Sequence, residues 1–63
     1  MNTYKTSEVA KLIGIHHNTV RLYENAGMIS KPERQSNGYR IFTDLNIEQF
    51  RLARLAFQME VLQ

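Results

Sequence analysis

Three side chains close together in the first half of the chain could read a planar, hydrogen-bonding surface: His17, Asn18 and Arg21. A guanidinium can give two parallel hydrogen bonds to guanine O6 and N7, and a carboxamide can pair with adenine N6 and N7. Further along, Lys31, Arg34 and Arg40 are cations of the kind that meet phosphates, and an arginine can also enter a narrow minor groove. That chemistry points to double-stranded DNA as the partner, provided the fold brings these residues to one side.

Other chemistries find no support. The carboxylates are scattered and there is no phosphate-binding glycine loop. Ser7, Ser30 and Ser36 lack a base and an orienting group, so the chain is not expected to be an enzyme. With no cysteine, disulfides and thiolate zinc sites are excluded. His16 and His17 are expected to point apart, with no third ligand nearby in sequence. No metal and no cofactor are therefore predicted.

The 63 residues make one domain at most, and a core of this size seldom supplies more than about 3–5 kcal/mol. The formal net charge of +2 hides an asymmetry. Residues 1–43 hold six basic and three acidic side chains, a net +3, whereas residues 44–63 hold two and three, a net −1. The polyanion partner belongs to the first two-thirds. No apolar run approaches the roughly 20 residues of a membrane span, and the first residues do not resemble a signal peptide. A cytoplasmic location without membrane contact is expected.

The elements that must position these residues can be read in order. Thr6 can cap a first helix with Glu8 in its first turn and Val9, Ala10, Leu12 and Ile13 on one side. Gly14 stops it, and Gly14-Ile15-His16 forms the three-residue turn of a helix-turn-helix. A second helix runs from near His17 to before Gly27, with Val20 and Tyr23 on one side and Asn18, Arg21, Leu22 and Asn25 on the other. The Tyr23 ring is expected against the core with its hydroxyl free. The β-prone runs Met28-Ile29 and Tyr39–Phe42 flank a polar stretch ending in the turn Asn37-Gly38. They predict a two-stranded hairpin, or wing.

Thr43-Asp44 opens a third helix with two apolar stripes. Ile47, Phe50, Ala53 and Phe57 form one; Leu52, Leu55, Met59 and Leu62 form the other. The second stripe needs a cover that a domain this small cannot supply. The predicted class is mainly α, a winged helix-turn-helix of three helices plus a short two-stranded β wing. The helix-turn-helix spans residues 6–27, the wing 28–43 and the third helix 44–63.

Residues 4–59 resemble the N-terminal DNA-binding domain of the MerR family of bacterial transcription regulators. The likeness runs through Tyr4, Glu8-Val9-Ala10, Leu12, Gly14, Thr19-Val20-Arg21, Tyr23-Glu24, Gly27, Met28-Ile29, Asn37-Gly38-Tyr39-Arg40 and Phe42. It implies binding to a two-fold related operator as a homodimer, through a helix beyond Gln63. Asn18 and Arg21 would then approach bases, Tyr23, Tyr39 and Arg40 would hold phosphates, and Arg34 would lie beside the minor groove. The resemblance also implies that promoter DNA is distorted, with RNA polymerase as a further partner there. By the residues alone, Tyr39 is divided between wing packing and backbone contact.

Three positions depart from the family pattern. His16 stands where Ser or Thr commonly caps the second helix, predicting a looser start. Leu22 replaces a frequent aromatic, and Glu60 replaces a helix-ending glycine, predicting a longer third helix. Two other readings compete. One is an excisionase-like architectural protein; the other is a helical adaptor that binds protein through the second stripe.

Overall fold

Val9 and Ile13 lie four residues apart and are the two buried side chains of the first helix, α1 (Thr6–Ile13). The computed structural model describes residues 2–61, with side chains as far as residue 57. Lys5, not Thr6, occupies the cap position of α1. A lysine has no acceptor to offer. Instead the Glu8 carboxylate reaches back and accepts from the Lys5 backbone N–H at 2.9 Å, half of a capping box. Leu12 was expected inside with its neighbours but is 49% exposed, because the inward face of so short a helix holds only Val9, Ile13 and part of Ala10.

Gly14 ends α1 at φ +79°, donating to the Ala10 carbonyl at 2.9 Å. From α3 (Asp44–Val61) the Arg54 guanidinium donates to the Ile13 carbonyl, satisfying one of the carbonyls that a helix end leaves free. The turn Gly14-Ile15-His16 then leads into α2 (His17–Asn25), within the span predicted for it.

The wing differs from its prediction in where its first strand lies. Strand β2 is Glu33–Arg34, and it pairs antiparallel with β3 (Arg40–Thr43) in the register Glu33↔Ile41 and Arg34↔Arg40. Met28-Ile29 forms no strand; Ile29 is 6% exposed and plugs the core instead. The run was apolar because it is buried, not because it pairs. A further strand, β1 (Thr3–Tyr4), pairs antiparallel with the other edge of β3, giving a three-stranded sheet of order β1-β3-β2.

The core is one cluster. Val9 and Ile13 of α1 meet Val20 and Tyr23 of α2, Ile29 and Phe42, and Ile47, Phe50 and Ala53 of α3. Phe42 and Phe50 are fully buried and meet edge to face at 5.7 Å. Asn46, the one buried polar side chain among the described residues, is fully engaged. It accepts from the Thr43 backbone N–H at 3.0 Å and donates to the Ser30 carbonyl at 2.9 Å, which ties the start of α3 to the segment before the wing.

The two stripes of α3 separate as expected. Ile47, Phe50 and Ala53 are buried, while Leu52 and Leu55 are 68% and 55% exposed. Phe57 stacks on Tyr23 at 5.3 Å although 39% of it remains exposed. Met59 and Leu62 lie outside the residues whose side chains are described. The α3 backbone continues through Glu60 to Val61, as the missing glycine predicts.

Candidate nucleic-acid interface

Helix α2 buries one face and presents the other. Val20 and Tyr23 are in the core, whereas His17, Asn18, Arg21, Leu22 and Asn25 are exposed. Its start is well defined, contrary to the looser entry expected of a histidine. His16 Nδ1 accepts from the Asn18 backbone N–H at 3.1 Å, so a neutral imidazole does what a serine hydroxyl does at an N-cap. The same bond folds the ring back over its neighbour. The His16 and His17 rings therefore lie with centroids 4.1 Å apart, rather than pointing apart.

Arg21 stands one turn beyond the cap, exposed, and none of the ion pairs among the described residues involves it. It is free to give both of its guanidinium edges to a ligand. Tyr23 is 4% exposed, with its ring stacked at 5.9 Å on Phe50 and at 5.3 Å on Phe57. Its ring is part of the core, as expected.

The wing is built around a turn. Gly38 takes φ +89°, its N–H donates to the Gln35 carbonyl at 2.9 Å, and the Tyr39 N–H donates to Asn37 Oδ1 at 3.1 Å. Only the glycine of the Asn37-Gly38 pair needs the left-handed conformation. Tyr39 is 70% exposed at this tip, which leaves wing packing little of its ring. Arg34 spans the loop, with Nη1 donating to the Gly38 carbonyl at 3.0 Å.

Arg40 is placed differently from the other cations. Its Nε donates to Glu24 Oε1 of α2 at 2.5 Å, and its side chain is 19% exposed. Arg34 Nη2 lies 4.0 Å from the other oxygen of the same carboxylate. Sequence reasoning singled out both arginines but missed Glu24, the residue that holds them. The one available signal was that Glu24 is the sole carboxylate in α2. An open cleft of about 460 Å³ lies between the start of α1 and the wing, with Lys5, Ser7, Tyr39 and Arg40 in its walls.

Where the sheet meets α3, the Tyr4 hydroxyl donates to Asp44 Oδ1 at 2.6 Å. That bond, with desolvation and the charge of Asp44 behind it, raises the Tyr4 pKa above its ordinary value. The contact ties β1 to the first turn of α3. Among the described residues, no helix is long and apolar enough to cross a membrane.

Comparison with known proteins follows the same outline. The sequence profile described as "MerR family regulatory protein" matches residues 5–42. The chain is 38% identical over 53 residues to the HTH-type transcriptional regulator CueR of Escherichia coli O6:H1, a match covering 84% of this chain and 39% of that protein. It is 30% identical over 60 residues to the mercuric resistance operon regulatory protein of Bacillus cereus, covering 89% of this chain and 46% of that one. The chain thus spans less than half the length of these relatives. Among solved structures, HiNmlR, a MerR family regulator lacking the sensor domain and bound to promoter DNA, superposes with a TM-score of 0.81. It is 32% identical, over 90% of this chain and 43% of that one. A Bacillus cereus MerR family regulator shares the fold at 16% identity, with a TM-score of 0.78.

Proposed function

Because the chain belongs to the MerR family of regulatory proteins, we propose that it binds DNA in a sequence-specific way as the DNA-binding domain of a transcriptional regulator. The observation that carries this reading is the likeness to HiNmlR on promoter DNA, at 32% identity and a TM-score of 0.81 over 90% of the chain. The exposed face of α2 supports it. Asn18 and Arg21 enter the major groove and read base edges, with His17 beside them at the helix start. Tyr39 at the wing tip and the Tyr23 hydroxyl meet phosphates, and Arg34 lies toward the minor groove. Arg40 meets the backbone with the guanidinium edge that Glu24 leaves unoccupied.

In its regulator the domain works as one half of a homodimer on a two-fold operator, joined through a helix beyond Gln63, and it distorts promoter DNA where RNA polymerase binds. Bending DNA costs a few kcal/mol, which contacts from the wing offset. Support for a helical continuation comes from the relatives' greater length and from exposed Leu52 and Leu55.

Iterative selection from a randomised duplex library tests the reading directly. A specific site should emerge, and Arg21→Ala should lose about 1–3 kcal/mol of discrimination there, relaxing base preference at one position per half-site. Failure to enrich any sequence, or enrichment unchanged by Arg21→Ala, would remove the basis for assigning Arg21 to base readout.

A further inference from the structure

The recognition helix and the wing must meet DNA together, yet their backbones are not among the closely packed element pairs of this fold. Helix α2 packs on α1, while the wing strands pack on each other and, through β3, on α1 and α3. Beyond the shared apolar core, the ion pairs among the described residues that tie α2 to the wing are those of Glu24. Its side chain is 9% exposed, with one oxygen 2.5 Å from Arg40 Nε on β3 and the other 4.0 Å from Arg34 Nη2 on β2. Arg34 and Arg40 are themselves direct partners across the ladder, an arrangement of like charges that destabilises a sheet when nothing offsets it. Arg34 in turn donates to the Gly38 carbonyl. One carboxylate thus connects the reading helix, through two arginines, to the turn at the wing tip.

We infer that Glu24 is a positioning residue for sequence specificity: it sets the wing relative to the recognition helix and holds back two arginines that would otherwise bind any phosphate. This inference rests on the DNA-binding reading above. The physical reason is that a free guanidinium adds affinity for every duplex alike through counterion release. A guanidinium already paired with a carboxylate adds less, and only where the DNA shape brings a phosphate or groove to it in register. Glu24 therefore lowers binding to arbitrary DNA while preserving binding to the right site.

The test uses the full-length protein and two duplexes: the site enriched by the wild type from a random library, and a scrambled duplex of the same length. Affinities are measured by fluorescence anisotropy across a salt series, with circular dichroism melts as a check on folding. Glu24→Gln should bind the scrambled duplex more tightly than the wild type. Its salt slope there should steepen by about one to two per chain, and the ratio of specific to scrambled affinity should fall roughly tenfold or more. Adding Arg34→Gln to that variant should bring the slope back toward the wild-type value. Arg40→Gln, which breaks the same tie from the other side, should lower the ratio without steepening the slope.

A merely structural carboxylate would weaken binding to both duplexes in proportion and leave the slope alone. That result, or a ratio unchanged in both Glu24→Gln and Arg40→Gln, overturns the inference. If the wild type enriches no site at all, the DNA-binding reading fails and this one fails with it. If it enriches a site and Glu24→Gln discriminates as well as the wild type, only the role of Glu24 fails.

Discussion

Replacing Arg40 with alanine should damage the protein in two separable ways, because Arg40 is both a wing cation and the partner of a nearly buried carboxylate. Glu24 is left with 9% of its side chain in contact with solvent and without its 2.5 Å donor. Breaking a fully buried ion pair costs about 3–5 kcal/mol. Here Arg40 is 19% exposed and Arg34 stands 4.0 Å from the same carboxylate, so solvent and the second guanidinium compensate part of the loss. The expected cost is about 1–3 kcal/mol, the range for stranding a buried hydrogen-bonding group. A domain of this length has about 3–5 kcal/mol in all. Each kcal/mol moves the midpoint of so small a domain by about 4–8 °C. A thermal melt followed by circular dichroism should therefore fall by roughly 10 °C. Combining Arg40→Ala with Glu24→Gln removes the stranded charge and should restore part of the midpoint, while the salt slope of DNA binding falls below that of Glu24→Gln alone by about one. A midpoint unchanged by Arg40→Ala would refute the reasoning, as would a double variant less stable than the single one.

Further perturbations probe the scaffold. Phe42→Ala empties a fully buried site against Phe50 and should cost about 3–5 kcal/mol, enough to leave much of the chain unfolded in a urea titration near neutral pH. Gly14→Ala forces a Cβ into φ +79° and to within 3.3 Å of Arg54 Nη1. The left-handed backbone alone costs about 1–2 kcal/mol, and a melt should register the loss. Tyr4→Phe tests the link between β1 and α3. The Tyr4 proton is held more tightly in the folded state than at the ordinary pKa of 10.0. Its contribution is therefore complete below that pH and is lost as pH rises through the higher folded value. The variant should be less stable than wild type at pH 7, and the gap in urea midpoints should close at strongly alkaline pH.

Much of the architecture could be read from residue types because it rests on local rules. Gly14 and Gly38 take the left-handed conformation in the structure, and Asp44 opens α3 where an acidic first turn suits the dipole. The burial of Val20 and Tyr23 opposite exposed Asn18 and Arg21 follows from the 3.6-residue period alone. Short strands are different. Glu33–Arg34 has no apolar alternation to betray it, and Thr3–Tyr4 pairs with a segment 40 residues away. Both exist because β3 offers two free edges. Met28-Ile29 misled for the converse reason, since burial and strand pairing favour the same apolar residues.

The sequence by itself determined the helix-turn-helix, the wing turn and the identity of the side chains facing outward on α2. Each of these depends on periodicity or on one residue's backbone freedom. Only the tertiary structure decided that His16 caps α2 through Nδ1 and that Arg54 closes the end of α1. It alone showed that Arg34 and Arg40 converge on one carboxylate. Arg40 and Glu24 are 16 residues apart along the chain. Whether such charges stand free or neutralise one another depends on distance in space, which no pattern of residue types along the chain encodes.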